Sequence, residues 1–147
     1  LQDISFVFVG PRLCSAKNMI QKPNVYFVGE RQWRELAHYI ERFDVCLVPY
    51  RKTKYTESVV PSKVLEYMMI GKPIVATKLN ELVYMQSKNS HLISLANTPQ
   101  EFARAILSGI IDKDIRLCES RINFAMSHTW PQKLDLLLTK LSELKEV

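Results

Sequence analysis

The stretch Pro61-Ser62-Lys63-Val64-Leu65-Glu66-Tyr67-Met68-Met69-Ile70-Gly71-Lys72-Pro73-Ile74-Val75-Ala76-Thr77 decides how the chain is read. Ser62, after Pro61, is the expected N-cap of a helix over Lys63 to Ile70. Gly71 supplies the left-handed residue that ends a helix, and Pro73 cannot continue one. Ile74 to Thr77 is a short run, apolar up to its β-branched last residue, as expected of a buried strand.

Working outward, four more runs of the same kind appear: Ile4 to Val9, Val25 to Val28, Val45 to Pro49 and His91 to Leu95. Their hydrophobicity is continuous, which implies burial on both faces, as in a parallel sheet covered by helices. Between the runs the period changes to that of a helix. Trp33, Leu36, Ala37, Ile40 and Phe43 form one stripe ahead of the strand at Val45. Thr98, Pro99 and Glu101 make a capping box, with Phe102, Ala105, Ile106 and Ile110 as the face behind it. A further helix from Asp114 presents Ile115, Cys118, Ile122, Ala125 and Met126. Thr129 and Gln132 repeat the box and open a last helix striped by Leu134, Leu137, Leu138, Leu141 and Leu144. That stripe fits a heptad or, more plainly, a helix that closes a domain. The expectation is an α/β fold, a parallel sheet of about five strands flanked by helices, with residues 1–147 as one domain.

Composition agrees. The 147 residues are 47% hydrophobic and 24% charged, with 20 basic and 15 acidic side chains for a formal charge of +5, which excludes a disordered or fibrous chain. No apolar run approaches the roughly 18 residues of a spanning helix, and the start has neither a basic region nor a cleavage site of a secretory leader. Cys14, Cys46 and Cys118 are far apart in sequence and read as reduced thiols in a cytosol. The chain opens on Leu1 with no cap or tail before its first apolar run, so it reads as a fragment of a longer polypeptide.

Several chemistries are excluded. Four glycines, at 10, 29, 71 and 109, cannot write a G-x-G-x-x-G fingerprint, and Gly71-Lys72 is followed by Pro73 where a P-loop needs a hydroxyl. His38, His91 and His128 lie on unrelated elements with no second ligand at metal spacing. A phospho-receiver needs clustered aspartates after its first strand, where this chain has Gly10-Pro11-Arg12. The isoelectric point of about 9.2 raises nucleic-acid binding, but the basic residues are interleaved with acids rather than gathered into a stripe. A basic surface also suits docking at an anionic cytoplasmic leaflet, and ordinary solubility explains it equally.

What remains is the loop from Tyr50 to Pro61, polar, basic and aromatic, which leaves the carboxyl end of one buried strand and leads into the helix at Ser62. Sheets of this class place ligands there. A helix N-terminus attracts anions, phosphate above all. Lys63 in the first turn opposes the helix dipole at a cost of roughly 0.3–1 kcal/mol, which suggests an anionic partner. Glu66 follows at i+3 on the same side. Charge spacing by itself favours a plainer account, a surface Lys–Glu pair worth a few tenths of a kcal/mol.

These residues also resemble a known family. FDVCLVPY, then T-x-S-V-x-P-x-K at Thr56 to Lys63, then LEYMMIGKPIVAT and Glu81, is similar to the nucleotide-sugar-binding half of GT-B glycosyltransferases, in particular family 4 of the group 1 class that builds teichuronic acids and capsules. FVFVGP and NVYFVG match the same domain in the same order. The resemblance implies a Rossmann-like C-terminal half that holds a UDP- or GDP-sugar as donor, with no tightly bound cofactor. It implies hexosyl transfer to a glycan or lipid-linked acceptor, in the retaining sense for this class, at the cytoplasmic side of a membrane.

Carried over by position, Glu66 would bond the ribose hydroxyls, while Ser62, Lys63 and the N–H groups of Val64 and Leu65 would meet the diphosphate. Tyr50, Thr56, Ser58 and Pro61 would border the donor, and Gly10 with Arg12 would lie near the nucleobase. Many family members carry a glutamate eight positions before Glu66; here that position is Ser58, with Glu57 one residue out of register. The resemblance further implies that one strand-helix unit and an acceptor-binding N-terminal domain precede Leu1, so that this stretch alone would be inactive. The competing class is a non-catalytic α/β module that binds a phosphorylated ligand or a protein.

Overall fold

A computed structural model describes residues 1–12, 17–88 and 91–144, and Cys14 lies outside them. The chain divides into two compact units, Leu1–Arg42 and Phe43–Val147. The first holds β1 (Phe6–Val9), the short α1 (Lys17–Ile20), β2 (Val25–Gly29) and α2 (Trp33–Glu41). The second holds β3 (Cys46–Val48), a 3-10 turn at Thr56–Ser58, α3 (Ser62–Met69), β4 (Ile74–Thr77), α4 (Asn80–Lys88), β5 (Ser94–Ala96), α5 (Pro99–Ile111), α6 (Ile115–Met126) and α7 (Trp130–Glu143).

All five expected strands form and all pair in parallel, but they do so in two sheets rather than one. In the first unit β1 pairs with β2, Phe6 opposite Val25, with a register shift between Phe8 and Val9. In the second the order is β3-β4-β5, Cys46 opposite Ile74 and Val75 opposite Ser94. The β5 run starts later than its apolar residues suggest. His91 sits at φ 72°, a left-handed conformation no strand residue adopts, and pairing begins only at Ser94.

The core of the second unit gathers on β4, buried at all four positions. Val64 and Met68 of α3 pack onto it with no exposed surface, joined by Leu79 and Leu82 around the start of α4, Leu92 and Ile93 ahead of β5, and Phe124 and Ala125 of α6. Each of these side chains other than Ala125 contributes about 1.5–3 kcal/mol. The α5 stripe behaves as read, with Ile106 buried and Phe102, Ala105 and Ile110 partly so. Its Gly109 is a point of close approach: a Cβ there would come within 2.9 Å of Val45 Cγ2.

Three helical stripes differ from the pattern. Trp33, the first residue of α2, is 77% exposed, and the Arg34 guanidinium carbon stands 5.7 Å from its ring centre. On α6, Ile115 and Met126 at the helix ends are exposed, while Arg121 and Phe124 between them are buried. The leucines of α7 and its C-cap are about half exposed or more, from Leu141 at 47% to Leu144 at 73%, so among the described residues nothing buries this stripe. Both capping boxes form as expected: the Glu101 N–H donates to Thr98 Oγ1 at 3.2 Å, and the Thr129 N–H to Gln132 Oε1 at 3.0 Å.

Candidate functional site

The two ends of α3 have different chemistry, and the sequence accounts for both. At the carboxyl end Gly71, at φ 74°, forms a Schellman turn. Its N–H donates to the Met68 carbonyl at 2.8 Å, and the Lys72 N–H to the Tyr67 carbonyl at 3.1 Å. A Cβ at Gly71 would collide with Cys118 Sγ. Arg121, 5% exposed, reaches from α6 and donates to the carbonyls of Gly71 (3.3 Å) and Leu92 (3.2 Å) and to Asp112 Oδ2 (3.1 Å). The Asp112 carboxyl is held below its ordinary value, first by the Asp114 N–H and then by Arg121.

The amino end is open. Pro61, not Ser62, is the N-cap, because its backbone at ψ 114° is the last extended residue; Ser62 is the first helical one, and no side chain caps the turn. The Val64 N–H is already given to the Pro61 carbonyl at 3.0 Å. Among the described residues the N–H groups of Ser62 and Lys63 meet no acceptor. Lys63 and Glu66 are both exposed, and no ion pair joins them, so the plain surface pair suggested by charge spacing does not form.

Helical geometry sorts the rest. Val64 and Met68 point into the core, while Ser62, Leu65, Glu66 and Met69 share the opposite face. That face walls a cleft of about 640 Å³, with Val60 at its edge and the corner between α6 and α7 across from it. The far wall carries His128, Thr129, Trp130 and Lys133. Trp130 is 84% exposed, with the Lys133 ammonium 5.6 Å from its ring centre, and His128 stacks on Phe124 at 4.0 Å. These residues escaped the sequence reading because they arrive from another helix; the exposed aromatic at the start of a capped helix is the signal that could have marked them. Lys63 is exposed and does not line this cleft.

The long loop is partly self-satisfied. The Thr56 hydroxyl donates to the Arg51 carbonyl at 2.7 Å and accepts the Thr53 N–H at 2.8 Å, so it shapes the loop. Ser58 ends the 3-10 turn and is exposed, and Tyr50 is half-buried with its carbonyl accepting from Thr77 Oγ1 at 2.8 Å. Burial pushes the Tyr67 hydroxyl up to about 12, with Cys46, Glu66 and Tyr50 adding to the shift, and it stays neutral. Burial likewise takes the Cys46 thiol to about 12, which leaves it unreactive. Gly10 and Arg12 belong to the first unit. There the Gly10 N–H donates to the Gly29 carbonyl at 2.9 Å, and the Arg12 guanidinium carbon lies 5.9 Å from the Phe27 ring centre. Among the described residues no three His, Cys, Asp or Glu side chains gather as a metal site, and no helix is long and apolar enough to cross a membrane.

Comparison with known proteins adds the family. The chain is 30% identical over 135 residues to TuaH of Bacillus subtilis (strain 168), whose name assigns it to teichuronic acid biosynthesis as a glycosyltransferase. The match takes in 87% of this chain and 34% of TuaH, so the chain spans about a third of that relative. Residues 1–112 match the family described as glycosyl transferases group 1. With most of its length matched in this way, the chain belongs to the group 1 glycosyl transferases.

Proposed function

We propose that residues 1–147 are a single donor-binding domain of a glycosyltransferase, one that moves a hexosyl group from a UDP- or GDP-sugar to a glycan or lipid-linked acceptor. The carrying observation is the amino end of α3, where the N–H groups of Ser62 and Lys63 meet no acceptor among the described residues and Glu66 stands one turn deeper on a cleft wall.

The chemistry follows from charge. As the bond to the anomeric carbon breaks, negative charge grows on the departing diphosphate, and positive potential fixed beforehand at that point lowers the barrier. The helix end and the Lys63 ammonium supply it. Glu66, an acceptor of two hydrogen bonds, holds the vicinal hydroxyls of the ribose and so sets where the diphosphate lies. Ser62 and Leu65 border this site, together with Pro61, Tyr50, Thr56 and Ser58. The Thr56 hydroxyl acts through loop shape, since it is already bonded within the loop.

Activation of the acceptor belongs to residues outside this stretch, in an N-terminal acceptor domain, and the 147 residues alone are inactive. The same reading carries a retaining outcome and a cytoplasmic location. Lys63→Ala in the full-length enzyme tests it. A lost charge-assisted bond costs about 1.5–3 kcal/mol of donor or transition-state binding. Unchanged donor affinity together with unchanged turnover would remove Lys63 from the site.

A further inference from the structure

We draw no further inference here: the strongest candidate, the exposed apolar face of α7 that runs from Trp130 through Leu134, Leu137, Leu138 and Leu141, is an unpartnered helix face, and nothing in the structure shows what covers it.

Discussion

At its carboxyl end α3 is closed on every side, by the Schellman turn at Gly71, by Cys118 against it and by the Arg121 guanidinium across two carbonyls and a carboxylate. At its amino end, two turns away, the helix has no side-chain cap, two N–H groups without an acceptor among the described residues, and a lysine where the dipole disfavours one. The same helix thus anchors the fold at one end and leaves binding capacity at the other. Local stability and ligand affinity are separable here, and substitutions should divide cleanly between them.

The largest effect belongs to the closed end. Arg121→Met removes three hydrogen bonds and leaves two carbonyls and the Asp112 carboxylate without this partner, so urea unfolding should show a loss of about 3–5 kcal/mol. Gly71→Ala meets both a positive φ and Cys118, and should cost about 2–4 kcal/mol by the same measurement. Adding Cys118→Ala recovers part of that loss by removing the sulfur, but not the share owed to φ. A full recovery would show that crowding, and not the left-handed backbone, sets the cost.

At the open end the order reverses. Lys63→Ala should leave stability unchanged or raise it by about 0.3–1 kcal/mol, since a cation leaves the positive pole of the helix. A clear destabilisation would mean that Lys63 has a structural role and would blur the contrast. The smallest effect lies at the start of α5. The Glu101 carboxyl is held below its ordinary value, first by the Asn97 N–H and next by that of Thr98. Its contribution is therefore complete above the ordinary carboxylate value and is lost as pH falls through the lowered one. The stability gap between wild type and Glu101→Gln should accordingly narrow on acidification, read from unfolding curves at a series of pH values.

The sequence made some of this legible because the determining physics is local. Apolar runs marked every strand, the Thr98 and Thr129 boxes fixed two helix starts, and Gly71 with Pro73 located the stop after α3. Lys63 and Glu66 stood out because their spacing on one helix can be counted. What escaped depends on distant neighbours. Arg121 reads as a surface residue until Gly71, Leu92 and Asp112 surround it, and Trp130 joins the α3 cleft from more than sixty positions downstream. The leucines of α7 show the reverse error: an apolar stripe records a tendency to be covered, and cannot say by what. The division of five strands between two sheets is likewise a matter of pairing, which hydropathy does not encode.

The central claim is that the amino end of α3 receives a diphosphate while Glu66 holds the adjoining ribose. Calorimetric titration of the full-length protein with UDP and GDP, alongside Lys63→Ala and Glu66→Ala, tests it most directly. The account predicts binding of one nucleotide by the wild type and a loss of roughly tenfold or more in each variant, with unfolding midpoints preserved. Binding of equal strength in all three proteins would contradict it.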